Sequence, residues 1–144
     1  MENHIRYMEE ALKEAKYAFD KGEVPIGAVV VCSNQIIARA HNLTETLNDP
    51  TAHAEMQAIT AATSYLGGKY LNQCTLYVTL EPCCMCAGAL FWSQLGGLVY
   101  GASDPKRGYY NLSEKLLHPK TKVITDVLSQ KSEELINKFF KQKR

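Results

Sequence analysis

No stretch limits what this chain can become more than residues 51–86, which run from Thr51-Ala52-His53-Ala54-Glu55 to Glu81-Pro82-Cys83-Cys84-Met85-Cys86. His53 offers an imidazole nitrogen, and Cys83 and Cys86, spaced C-x-x-C, offer two thiolates. Zinc is held tetrahedrally by such groups. A structural site closes all four positions with protein, whereas a catalytic site keeps one for water. Three N/S ligands therefore predict a catalytic zinc. A bound zinc lowers the pKa of water to about 7. Glu55, two residues from His53, is spare as a ligand and placed to take that water's proton and pass it on. Whatever the fold, it must bring these two segments to one point.

Taken singly, the parts have plainer readings. A lone C-x-x-C fits a redox pair or half of a structural zinc site, and a lone histidine at a helix start fits a cap or a core residue. Cys32, Cys74 and Cys84 form no second C-x-x-C, which argues against a zinc ribbon held by four cysteines. The order, the spacings and Pro82 before Cys83 match H-x-E…P-C-x-x-C, the signature of zinc-dependent base deaminases.

The 144 residues, 46% of them apolar, are expected to form a single domain over 1–144 with a real core. Charged residues make up 22%, which excludes global disorder. No apolar run approaches a bilayer span, and Met1-Glu2-Asn3-His4 does not begin a signal peptide, so no membrane role is expected. Five cysteines, two of them needed as thiolates, suit a reducing compartment, and the cytoplasm is the expected location. The net charge of +1 is unevenly spread. Residues 1–100 hold 6 basic and 10 acidic side chains, net −4, and residues 101–144 hold 10 and 5, net +5. The basic third is either an ordinary solvated surface or a face for a polyanion such as RNA.

Apolar positions at Ile5, Met8, Leu12, Ala15 and Phe19 predict a helix over 5–20, ended near Gly22. The continuous apolar run 26–32 predicts a strand covered on both faces. Ser33-Asn34 turns it into a second strand over 35–40, and a polar loop over 43–50 leads to the metal motif. Thr51 is a candidate cap for a helix over 53–65, which places His53 and Glu55 in its first turn. A third strand over 74–80 stops at Pro82. A short helix over about 85–93 begins inside the C-x-x-C, where the helix dipole lowers thiol pKa values. Strands over 98–101 and 122–125 follow. The last helix, about 130–141, has Ser129 as a candidate cap and Leu135, Ile136, Phe139 and Phe140 on its buried side. The expected fold class is α/β: a mixed five-stranded sheet with helices on both faces, a three-layer α/β/α sandwich.

Several pieces carry a family resemblance. They are Val24-Pro25-Ile26-Gly27-Ala28, His41-Asn42, Asp49 through Glu55, Thr75 through Cys83 with Met85 through Ala89, Tyr100 through Lys106, and the ending Phe139-Phe140-Lys141-Gln142-Lys143-Arg144. Together they closely resemble the bacterial tRNA-specific adenosine deaminases of the cytidine deaminase-like superfamily, over nearly the whole chain. The zinc motif belongs to the superfamily at large, and the segment before it and the basic tail point to the tRNA branch.

The resemblance implies hydrolytic deamination of the wobble adenosine to inosine in a tRNA anticodon loop, with one Zn2+ per subunit and a homodimer whose pocket is shared. It gives Glu55 both acid and base work. It makes Asn42 and the backbone N–H of Ala54 substrate contacts. It also places Asp104, Lys106, Phe140, Lys143 and Arg144 along the RNA. As turn former, surface loop, core and solvated tail, the same residues have ordinary structural readings too. Where the family usually reads Gly-small-small-Ser after Lys106, this chain has Arg107-Gly108-Tyr109-Tyr110-Asn111. The two tyrosines either stack on bases or pack in the core or a dimer interface. The segment 117–123 is also shortened. A rival activity on the same scaffold is deamination of a free nucleobase or nucleoside, such as guanine, cytosine or cytidine, which needs no basic tail. A non-catalytic zinc-binding RNA module is a further class, and the unligated Glu55 argues against it.

Overall fold

A computed structural model describes residues 2–143. Helix α1 (Glu2–Asp20) leads into a hairpin of β1 (Gly27–Cys32) and β2 (Gln35–His41). Then come α2 (Ala54–Leu66), β3 (Cys74–Leu80), α3 (Cys84–Trp92), β4 (Gly97–Ala102), two short 3-10 turns at Tyr109–Asn111 and Glu114–Leu116, β5 (Lys122–Ile124) and α4 (Ser129–Gln142). The five strands make one sheet in the order β2-β1-β3-β4-β5. β1 pairs antiparallel with both β2 and β3, while β3, β4 and β5 run parallel. The mixed sheet with helices on both sides bears out the expected α/β/α class.

Alternation along β1 explains the three layers. Successive side chains of a strand point to opposite faces. Ala28 and Val30 join the core under α2 and α3, while Val29 and Val31 join the core under α1. The apolar run 26–32 is therefore buried on both sides, as its composition predicts. Ser33 and Asn34 both adopt positive φ, 52° and 62°, the backbone that a two-residue hairpin turn requires. On the α1 side, Gly27 lets the helix approach the sheet at backbone distance: a Cβ there would meet the Ala11 carbonyl and the Ala15 amide. Among the described residues no helix is long and apolar enough to cross a membrane.

Several local expectations change. α1 begins at Glu2 rather than residue 5, and Ile5 is 38% exposed, so the buried stripe shifts to Tyr7, Met8, Ala11, Leu12, Ala15 and Ala18. Thr51 does not cap α2. Its N–H and hydroxyl are donated to Asp49 Oδ1 at 2.8 and 2.7 Å, and His53 itself is the N-cap residue. Nor does Ser129 cap α4. It is the first helical residue, preceded by Leu128 in the left-handed conformation, and Val127 N–H is donated to the Tyr100 carbonyl. Of the four apolar residues expected on the buried side of α4, only Phe139 is buried; Leu135 and Ile136 are half-buried and Phe140 is 46% exposed.

Candidate active site

Two helix starts meet at the mouth of the parallel strands. His53 precedes α2 with φ −71° and ψ 156°, and Cys83 precedes α3 with φ −75° and ψ 175°. Both are extended residues standing at the positive end of a helix. His53 Nδ1 lies 3.6 Å from Cys83 Sγ and 3.5 Å from Cys86 Sγ. The three donor atoms all lie within 4.8 Å of one another, a cluster that can hold a metal ion. Cys86 is fully buried, and His53 and Cys83 are half-buried. Local sequence explains the convergence: β3 ends at Leu80, Pro82 cannot donate to the ladder, and the chain turns at once into α3 with Cys83 at its N-cap and Cys86 in its first turn.

The electrostatics fit a cation. The Cys86 thiol, donating to Cys83, lowers the Cys83 thiol to about 3 against the opposing effect of burial, with help from the His53 ring. That same hydrogen bond, together with burial, drives Cys86 far upward. His53 is raised, first by its hydrogen bond with Cys83, and burial opposes this. The cluster thus favours the charged form of Cys83 where three donors converge. Glu55, 4% exposed in the first turn of α2, is pushed up to about 7, mainly by burial.

A cavity of about 720 Å³ opens on this cluster, within the size range of small-molecule sites. His53, Glu55 and Cys83 share its lining with Val24 and Ile26 before β1. The wall continues through Asp104, Pro105 and Arg107 after β4, and Glu133, Ile136, Asn137 and Phe140 of α4.

Two buried glutamates hold the loops around this cavity. Glu23, fully buried, accepts hydrogen bonds from Thr44 Oγ1, Glu45 N–H, Thr46 N–H and Thr46 Oγ1 at 3.4, 3.1, 2.6 and 2.7 Å, and so ties down the loop that leads to His53. Glu81, 6% exposed, accepts from Asp104 N–H at 2.9 Å and Tyr110 N–H at 3.0 Å across the cavity wall.

The expected residues divide into two groups. His53, Glu55, Cys83, Asp104 and Phe140 come together around the cavity, and Cys86 completes the donor cluster behind it. Asn42 is not among the lining residues; it is buried, with its N–H donated to the carbonyl of Ile26, which does line the cavity. Ala54 is the first residue of α2, so its N–H is one that the helix leaves without an internal partner. Lys106 is exposed and outside the lining. Asp104 Oδ1 accepts the N–H groups of both Lys106 and Arg107, a turn that puts Arg107 at the cavity instead. Lys143 is exposed, with its Nζ 5.4 Å from the Phe139 ring centre. Arg144 lies outside the described residues. The two tyrosines part company: Tyr109 is buried edge-on against Tyr100, and Tyr110 is 63% exposed. Glu81, Arg107, Glu133 and Asn137 were not foreseen. Only Glu81 left a signal, an acid wedged between an apolar strand and Pro82-Cys83.

Comparison with known proteins agrees with this geometry. A family model for MafB19-like deaminases matches residues 2–144. The chain is 48% identical to a tRNA-specific adenosine deaminase of Bacillus subtilis (strain 168), over 96% of this chain and 89% of the relative. It is 47% identical to one from Aquifex aeolicus (strain VF5), over 96% of this chain and 94% of the relative. A solved structure from work on A-to-I editing by tRNA:A34 deaminases at the wobble position of transfer RNA superposes with a TM-score of 0.84 at 42% identity, covering 90% of this chain and 98% of that one.

Proposed function

The chain belongs to the MafB19-like deaminases and to the tRNA-specific adenosine deaminases, and from that membership we propose that it converts adenosine to inosine at the wobble position of a tRNA anticodon by hydrolytic deamination. We assign the metal as zinc, held by His53, Cys83 and Cys86. Zinc sits about 2.3 Å from sulfur and about 2.0 Å from nitrogen, and at tetrahedral angles those lengths separate the donors by about 3.5 Å. The observed 3.6 and 3.5 Å separations from His53 Nδ1 to the two sulfurs carry this assignment.

Zinc bound there supplies a water molecule acidified to about pKa 7. Glu55 does the rest of the proton work. In the metal-free protein burial pushes its carboxyl up to about 7, well above an ordinary carboxylate, which suits a group that must both take and give a proton. It takes the proton from the attacking water and delivers it to the ring nitrogen next to the amine-bearing carbon. It then carries the proton of the newly added hydroxyl to the amine, and the C–N bond breaks to release ammonia and leave the carbonyl of inosine. Phe140 and the apolar Val24, Ile26 and Ile136 give the base an apolar wall. Asp104 and Arg107 stand on the opposite loop to meet the flanking sugar and phosphate. Asn42 and the Ala54 N–H are assigned to the base edge, and Lys143 and Arg144 to phosphates. A flipped base requires an unpaired loop, which an anticodon provides.

A homodimer is part of this reading. Trp92, Tyr110 and Leu112 are 78%, 63% and 70% exposed, large apolar side chains of the kind a second copy covers.

Purified zinc-loaded protein incubated with a stem-loop carrying adenosine at the wobble position should yield inosine and ammonia, with turnover falling as salt rises. Rapid release of ammonia from free guanine or cytosine, with the stem-loop untouched, would replace this reading by the free-base activity.

A further inference from the structure

Loop 103–110 carries one wall of the cavity, follows the end of β4, and is joined to the metal-binding segment by one side chain and by backbone links beside it. Glu81 stands between β3 and Pro82-Cys83, and its own N–H is donated to the Ala102 carbonyl at 2.8 Å. Its Oε1 receives the N–H of Asp104 and its Oε2 the N–H of Tyr110. The carboxylate therefore spans the loop from beginning to end. Two backbone links lie beside it: Tyr109 N–H donates to the Pro82 carbonyl at 2.9 Å, and Cys83 pairs with Gly108 in an isolated antiparallel bridge.

Gly108 supports the same account. Its φ of −63° is open to any residue, so the backbone does not demand glycine. Space does: a Cβ at Gly108 would overlap all three carboxylate atoms of Glu81. The loop has been left without a side chain where this carboxylate lies.

We propose that Glu81 is a positioning residue that fixes the substrate-facing loop to the cysteine-bearing segment, setting substrate affinity rather than the chemical step. It touches neither His53 nor Glu55 among the hydrogen bonds of the described residues. What it holds is Asp104, whose own carboxylate orders Lys106 and Arg107. Loosening the clamp frees Asp104 and Arg107 from the cavity while leaving the metal donors and Glu55 in place. The substrate part of this inference rests on the deaminase reading above.

Glu81→Gln tests it, because an amide offers one oxygen to two N–H donors that now need two. In zinc-loaded protein, residue-resolved amide exchange at Asp104 and Tyr110 should accelerate about tenfold, and KM for the stem-loop should rise about tenfold with kcat within about threefold. Gly108→Ala, which displaces the same carboxylate from the other side, should reproduce both changes, and the double variant should be little worse than either single one. Unchanged exchange, additive losses, a fall in kcat at constant KM, or zinc content below that of wild type would overturn the proposal. If wild type leaves the stem-loop untouched, it is the deaminase reading that fails. The exchange measurement then still decides the clamp, and the split of KM from kcat is read on whichever base wild type deaminates.

Discussion

Glu23 and Glu55 are the same residue type, both withdrawn from water, and they end in opposite electrostatic states. Burial works against the charge on each. At Glu23 it is outweighed by hydrogen bonds from Thr46, Glu45 and Thr44, and the carboxyl is held below the ordinary value. At Glu55 burial prevails and the carboxyl rises to about 7. The first is a fixed charge that organises a loop; the second is the carboxyl proposed to carry protons. Burial alone does not say what a carboxylate is for. The donors around it do.

Four measurements can break or sharpen that contrast. The largest effect should come from His53→Ala or Cys83→Ser, each of which removes a donor next to Glu55. Metal analysis should find zinc well below one equivalent and turnover lost with it, and a full equivalent in either variant would strike that residue from the ligand set. Next, Glu55→Ala should keep zinc and the melting temperature while turnover drops by about 10²- to 10⁴-fold. Activity near the wild-type rate would end its role as proton carrier.

A smaller, different kind of loss is expected from Glu23→Gln. One oxygen must then serve donors that now share two, at a cost of about 1–3 kcal/mol, read as a lower melting temperature with turnover per folded molecule preserved. Should turnover fall and stability hold, the two glutamates would not be the contrasting pair described here.

The smallest signal is in pH. Glu23 has a folded pKa below its unfolded value, so its contribution to stability is present above the unfolded value and lost as pH falls through the folded one. Glu55 in metal-free protein has the reverse sign. Its folded value near 7 exceeds the unfolded one, so its contribution is present below the unfolded value and lost as pH rises through about 7. Denaturation of the metal-free protein across pH should lose part of the acid limb in Glu23→Gln and part of the neutral limb in Glu55→Gln. Parallel curves for the two variants would refute the assignment.

Much of the fold was legible because it is local. The burial of β1 on both faces and the end of β3 follow from side chains acting on their own backbone. Errors fell where a local signal had a competitor: Thr51 reads as a cap, but Asp49, two residues away, takes its hydroxyl. Phe139 and Phe140 are alike in sequence, and only the packing of α4 against the sheet buries one and turns the other to the cavity. Lys106 and Arg107 are neighbours of equal charge, and a turn ordered by Asp104 chooses between them.

The amino-acid order alone determined the candidate donor cluster and the carboxylate beside it, because ligand chemistry and spacing at two helix starts are properties of short segments. Tertiary structure alone decided which acids are tied by backbone donors and which carboxyl is raised by burial. Glu81 meets Asp104 and Tyr110 across 23 and 29 residues of chain, and the state of Glu55 is set by everything that keeps water from it. Desolvation and long-range hydrogen bonds belong to the folded molecule, and no stretch of sequence contains them.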